Sequence, residues 1–295
     1  MSCLHIHHRT TYRYSAPVKF GVHRLVLRPR EGHRTRVLQH RLATEPEAHL
    51  TWMTDVHGNH VAYAEFANPA DQLVILNELK LDLMEEGLPP LRHSVMPLPL
   101  TCLQTEQALV NAYRAPVWPA QSGMLEKWTA SLPEASASRT ALETARWLNA
   151  AVHRTVKYRR REEPGVQSPE DTLRLRSGSC RDLATLSMEA ARSLGLPARF
   201  VSGYLDSAVS AAGRGSTHAW MEVYLPDGGW KGFDPTSGRA AGNRHIATGV
   251  SCHPRGVMPV SGTFDGSSGS SLGMKVELTI RQESSAHALA SASSS

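Results

Sequence analysis

Six short segments between residues 1 and 85 have strand character: Leu4 to Tyr14, Val22 to Leu27, Arg36 to Leu42, His49 to Thr54, Val61 to Phe66 and Leu73 to Leu83. Turn residues separate them, and spacing of that kind predicts a β-sandwich. Within it, Asp55-Val56-His57-Gly58-Asn59-His60 reads as a hairpin loop, because Gly and Asn tolerate positive φ. Pro89, Pro90, Pro97 and Pro99 then interrupt the chain where neither a helix nor a central strand would accept them. The expected organisation is therefore a sandwich over residues 1–90, a second domain over 91–283 and a disordered Ser/Ala-rich tail over 284–295. A chain of 295 residues has room for two such cores.

The second region changes period. Thr105 to Ala112 predicts a short helix, and Ser138 to Thr155 a longer one, with Leu142, Ala145, Leu148 and Val152 on one face. A polar loop is expected through Pro164 and Pro169. From Cys180 to Leu194 the apolar positions again recur at helical spacing, and Gly195 with Pro197 supplies a strong stop. A strand from Ala198 to Leu205 follows, then a small-residue loop from Asp206 to Ser216 that could serve as a lid. A hairpin of His218 to Leu225 and Trp230 to Asp234 turns around Pro226-Asp227-Gly228-Gly229, and further strands are expected around Ile246 to Cys252 and Lys275 to Ile280.

Three residues of this second region form a chemical pattern. Ser179 can cap the helix that Cys180 opens, with Asp182 completing a near match to a capping box, so the thiol sits where unpaired backbone N–H groups favour a thiolate. His218 opens one strand of the hairpin and Asp234 closes the other. Cys, His and Asp in that order can form a thiolate–imidazolium pair whose tautomer a carboxylate fixes. Each residue alone has a plainer reading: a small buried thiol, a structural histidine, a turn-forming Asp before Pro. A flat two-residue turn would also leave Asp234 on the wrong face, so a β-bulge in the first strand, or a distorted turn acting in its place, is expected to shift the register by one.

Composition trims the alternatives. Apolar residues make up 41% of the chain, yet no run reaches the ~18–20 residues of a membrane helix, and Met1 to His8 lacks a signal peptide's apolar stretch. A cytoplasmic protein without a membrane partner is expected. Net charge is +5, from 32 basic and 27 acidic residues, without the clustering nucleic-acid binding uses; Glu162 and Glu163 are expected to offset the basic run Lys157 to Arg161. The four cysteines, Cys3, Cys102, Cys180 and Cys252, have no zinc or disulfide spacing. His5 and His7 share a strand face and could hold a metal, but a solvated face is the preferred reading. Trp220 and Trp230 could stack on a ligand or belong to the core.

Four stretches together resemble the bacterial transglutaminase-like superfamily: Gly178-Ser179-Cys180-Arg181-Asp182-Leu183-Ala184, Leu194 to Tyr204, His218-Ala219-Trp220-Met221-Glu222-Val223 and Gly232-Phe233-Asp234-Pro235-Thr236. Outside that core the likeness is looser, through His8 to Tyr14, Asp55 to Asn59 and Pro259 to Phe264. The resemblance implies an α+β papain-like core, a Cys-bearing helix packed on an antiparallel sheet, behind an N-terminal β-sandwich. It also implies a triad of Cys180, His218 and Asp234 acting on peptide, isopeptide or glutamine-type amides through an acyl-enzyme. No Trp lies between Val152 and Cys180, where the animal enzymes carry one for the oxyanion. The candidates left for a second oxyanion or substrate contact are Gln167, Tyr158 and Trp220. No calcium loop is visible, and neither cofactor nor metal is expected. Hydrolysis is the preferred outcome; a crosslinking transglutaminase and a catalytically idle peptide-binding scaffold remain as alternatives, with oligomeric state open.

Overall fold

The computed structural model describes residues 2–84, 96–118, 123–133, 138–161, 163–207, 215–267 and 269–283. The N-terminal strands are β1 (Ser2–Phe20), β2 (His23–Leu25), β3 (Thr35–Glu45), β4 (Ala48–Thr54), β5 (His60–Phe66) and β6 (Ala70–Leu83). In β1 the pleat puts Leu4, Ile6, His8 and Thr10 inward and His5 and His7 outward. The helices are α1 (Gln107–Arg114), α2 (Met124–Ser131), α3 (Ala141–Thr155), α4 (Pro169–Leu175) and α5 (Cys180–Ser193). Two short strands, β7 (Lys157–Tyr158) and β8 (Ser177–Gly178), lie among them, and α5 leads into β9 (Ala198–Leu205), β10 (Ser216–Leu225), β11 (Gly229–Asp234), β12 (Arg239–Ala240) and β13 (His245–Ser251). The chain ends in β14 (Val260–Ser261), β15 (Phe264–Asp265) and β16 (Ser271–Gln282).

Two sheets make the sandwich: β15-β1-β6-β3, with β16 also on β1, and β14-β2-β5-β4. Tyr14, Val18, Phe20, Leu25, Leu73 and Ile75 fill the space between them. The closing strands, read from sequence as part of region 91–283, thus cross back to complete the N-terminal sheets: β16 pairs with β1 from Leu4↔Gln282 onward, and β14 with β2. Such pairing across most of the chain leaves no local signature. The second unit is α+β. Its antiparallel sheet runs β12-β11-β10-β9-β13, and α5 packs against β9 and β10 over Leu183, Leu186, Met188, Phe200, Met221 and Val223.

Two helices fall where sequence reading placed none. α4 occupies the expected polar loop: Ser168 accepts the Asp171 N–H as N-cap, and Pro169 takes the first helical position, where its missing donor costs nothing. α2 follows Gly123, whose φ of 62° starts a short amphipathic turn that buries Leu125 and Thr129. The expected lid falls largely at residues 208–214, and the expected tail at 284–295; both lie outside the described residues. No helix among the described residues is long and apolar enough to cross a membrane.

Between the two units Leu4, Ile6, Leu79 and Leu81 pack on Tyr204 and Ile246. A buried polar chain crosses the same seam. Tyr204 Oη donates to the Leu27 carbonyl (3.3 Å) and accepts from Asn77 Nδ2 (3.0 Å), while His8 holds Tyr204 through Nδ1 (3.1 Å) and Thr10 through Nε2 (3.1 Å). Neutral imidazole satisfies both contacts, one as donor and one as acceptor. Burial, with a smaller push from His7, lowers the His8 pKa to about 4. Because the folded value lies below the unfolded one near 6.5, the proton binds the unfolded chain better, and stability falls as pH drops from about 6.5 to about 4. The loss from His8 alone should approach about 3 kcal/mol. Urea unfolding at pH 7 and 4.5 measures it; equal slopes for wild type and His8→Gln across that window would rule the seam out as its source.

Candidate active site

The Cys180 side of the site is built by a buried carboxylate. Asp182, fully buried, accepts the Ser179 N–H (2.7 Å) and hydroxyl (2.8 Å), so the N-cap turn is pinned immediately before Cys180. It also accepts the Gln167 N–H (2.7 Å) and both contacts from Arg161 Nη1 (2.8 and 2.9 Å), tying these two residues to the helix start. Gly178 has no room for a side chain here: a Cβ would stand 2.8 Å from Asp182 Cβ. Cys180 is half-buried at the first helical position, near enough to His218 for its sulfur to act on the imidazole.

The hairpin delivers the other two residues. Leu225 pairs with Gly229 and Met221 with Phe233, so one step further Asp234 comes level with Trp220, the expected register. The β10–β11 ladder itself carries no bulge. The extra residue sits in the turn, where the Gly228 N–H donates to the Leu225 carbonyl and Gly229 adopts φ 66°, a left-handed conformation that glycine reaches without strain. His218 Nε2 then stands 3.1 Å from Asp234 Oδ2, both side chains buried. The ring N–H is off the line to the oxygen, so the contact is a charge pair rather than a hydrogen bond. Burial alone would lower the His218 pKa, but its interactions with Asp234 and Cys180 prevail and push it up to about 10. Burial likewise works to raise the Asp234 carboxyl, and His218 and His245 together hold it far below the usual carboxylate range.

Sequence reading missed His245. It opens β13, belongs to no motif, and reaches Asp234 only through the sheet, with Nε2 3.3 Å from the same Oδ2. Its Nδ1 accepts the Gly242 N–H (3.1 Å), which places the imidazole proton on Nε2, facing Asp234. Asp234 Oδ1 takes the Thr236 N–H (2.9 Å), and the Asp234 main-chain carbonyl takes the Gly238 N–H (2.9 Å). His218, Asp234 and His245 have metal-ligand proximity. A metal, however, needs a lone pair on His245 Nε2, where this tautomer presents an N–H. Among the described residues the other such group is Cys3, His5 and Glu283, where the Lys80 ammonium already sits 3.2 Å from Glu283; His7 turns instead to Glu78.

The remaining candidates separate. Tyr158 is half-exposed on β7, level with Gly178 of β8, and burial followed by the negative sulfur of Cys180 raises its pKa. The Gln167 side-chain carbonyl accepts the Thr172 hydroxyl (3.1 Å) beside Gly178. Trp220 is buried against Val201 and Val250 and stacks on His218 with 6.3 Å between centroids, so it lies behind the imidazole. Trp230 packs under the Arg199 guanidinium, 3.9 Å from its centre. Arg161 turns inward to Asp182, and Glu163 pairs with it at 3.5 Å; Glu162, the other expected offset, lies outside the described residues.

Comparison with known proteins matches residues 4–82 to the family described as bacterial transglutaminase-like N-terminal region, and residues 129–235 to the one described as transglutaminase-like superfamily. An uncharacterized protein of Mycobacterium leprae is 27% identical over 285 residues, covering 92% of this chain and 96% of that one. A protein-glutamine gamma-glutamyltransferase of Pseudomonas aeruginosa is 37% identical over 67 residues, 21% of this chain and 10% of that enzyme. A solved structure from Cytophaga hutchinsonii, described as a candidate cysteine protease, superposes with a TM-score of 0.73 at 19% identity, over 96% of this chain and 92% of that one. That likeness is one of fold.

Proposed function

The chain belongs to the transglutaminase-like superfamily, and from that premise we propose that it is a cysteine-dependent acyl transferase acting on peptide, isopeptide or glutamine-type amides, with water as the acceptor. The observation that carries the reading is the buried His218–Asp234 charge pair, 3.1 Å apart, with the Cys180 sulfur at a helix start acting on the same imidazole. The Cys180 thiolate attacks the amide carbonyl, forming a C–S bond and a tetrahedral oxyanion. The His218 imidazolium protonates the leaving nitrogen as the C–N bond breaks, which leaves a thioester. Neutral His218 then takes a proton from water as its oxygen attacks the thioester, and returns it to the departing sulfur. Asp234 keeps the imidazole oriented and stabilises its charge.

The helix start leaves the Cys180 N–H without an intrahelical partner, so it is the first oxyanion donor. For the second we favour Gln167 over Tyr158, because Thr172 engages the carboxamide oxygen and leaves the nitrogen end to donate. Water needs no second binding site, which favours hydrolysis over crosslinking. The test is limiting iodoacetamide at pH 6 with the labelled cysteines quantified by mass spectrometry. Cys180 should react first and Cys3, whose thiol is pushed up to about 11, last. Labelling of Cys180 no faster than of Cys252 would refute an activated thiolate and return the chain to a binding scaffold.

A further inference from the structure

The parallel pair β7 and β8 runs from the site to a second feature. Its far end, Tyr158 beside Gly178, borders Cys180; its near end, Lys157 beside Ser177, comes two residues after Thr155 and directly after Arg176. Those two residues, with Arg154, Met124, Trp128 and Leu173, line a hollow of about 430 Å³ between α2, α3 and α4. Its floor is apolar: Leu173 is buried, and Met124 and Trp128 pack on the core. Among the described residues no acidic side chain lines it and neither guanidinium has a carboxylate partner.

A plainer account is that Arg154 and Arg176 offset the C-terminal dipoles of α3 and α4, which both end there. That account would have the guanidinia on the terminal carbonyls, yet no hydrogen bond joins either guanidinium to one among the described residues, and two of those carbonyls take backbone donors. The Val156 N–H donates to Val152 and the Lys157 N–H to the Arg176 carbonyl, each at 2.9 Å. Arg176 also holds φ 50°, where glycine or asparagine is the unstrained choice and where no other non-glycine residue stands among the described residues. Lys157, Arg159 and Arg160, exposed along the same edge, continue the positive field toward Cys180.

We propose that this hollow is a substrate subsite in which Arg154 and Arg176 clamp a carboxylate while its aliphatic stem lies on Met124, Trp128 and Leu173, making the preferred substrate an acidic peptide. The inference rests on the acyl-transfer reading and names its substrate class. Arg176 precedes Cys180 by four residues of largely extended chain, a span of about 13 Å. The carboxylate therefore belongs three to four residues from the amide that reaches the sulfur, whether it comes from a Glu side chain or a chain terminus.

The test uses binding, which needs no chemistry. Fluorescein-labelled heptapeptides with one central Gln, carrying Glu or Gln three or four positions to either side and ending in a free carboxylate or an amide, are titrated against Cys180→Ala by anisotropy. One Glu peptide should bind at least tenfold tighter than its Gln partner, the ratio expected of one charge-assisted contact. A preference that follows the free terminus instead assigns the same clamp to a chain end. Adding Arg154→Gln or Arg176→Asn, the latter chosen because Asn tolerates the left-handed turn, should bring the ratio near one with the melting temperature retained; Arg174→Gln, outside the hollow, should leave it unchanged. Equal affinities for all peptides, no binding of any, or a preference that survives both clamp variants would overturn the subsite. Iodoacetamide labelling of Cys180 reads the acyl-transfer reading separately.

Discussion

His218→Ala is expected to slow carbamidomethylation of Cys180 at pH 6 by about two orders of magnitude. In the intact site the imidazole, pushed up to about 10, carries its proton throughout the neutral range and stands as a cation against the sulfur. Without it the α5 start is the remaining help, worth about 0.3–1 kcal/mol, less than one pKa unit. A thiol with no cation beside it ionises near 8.5, so only about 0.3% is thiolate at pH 6. The lost thiolate fraction bounds the effect at roughly 300-fold, and the greater nucleophilicity of the more basic sulfur recovers part of it. The pH profile separates the causes. Wild type should stay nearly flat across the neutral range and change as His218 titrates near 10, whereas the variant should climb about tenfold per pH unit up to an ordinary thiol value. Coincident rates at pH 6 would mean that the imidazole does not hold the sulfur.

That pair could be found in the sequence because local signals position each member. Ser179 and Asp182 announce a helix start, Gly195 and Pro197 its end, and α5 runs from Cys180 to Ser193 as those signals require. β9 spans Ala198–Leu205 as read, and the need for a one-residue register shift followed from where His218 and Asp234 had to meet. What stayed hidden depends on contacts made only in the folded chain. His245 reaches Asp234 from β13, on the opposite edge of the sheet from β11 and β12; Arg161 reaches Asp182 across a loop; and β16 finds β1 from the other end of the chain. α4 is a different case. Ser168-Pro169-Glu170-Asp171 carries a cap, a first-position proline and acidic residues in the first turn, so the stretch expected as a polar loop holds a local helix start.

Arg192→Met should cost about 3–5 kcal/mol of global stability without touching the chemistry at the other end of the same helix. Arg192 and Glu189 form a pair at 2.8 Å whose side chains are 1% and 2% exposed. Arg192 also donates to the Ala198 and Cys252 carbonyls, and Glu189 accepts the Val117 and Trp118 N–H groups, so one buried pair fastens α5 to the start of β9 and to two loops. Burial pushes the Glu189 carboxyl up and the Arg192 guanidinium down, each opposed by the other's charge. Removing the cation strands a carboxylate in the core, which must take a proton to remain there. Urea unfolding should therefore show the variant's deficit shrinking as pH falls. The double variant Glu189→Leu/Arg192→Met, which removes both charges, should be more stable than Arg192→Met alone. A single-variant loss below about 1 kcal/mol, or a double variant no better than the single, would show that the pair is not the clamp. Cys180 lies twelve residues up α5, about 18 Å away at 1.5 Å per residue. Below the unfolding transition its alkylation rate should match wild type, because this pair holds the helix in place while His218 and Asp234 set the reactivity of the sulfur.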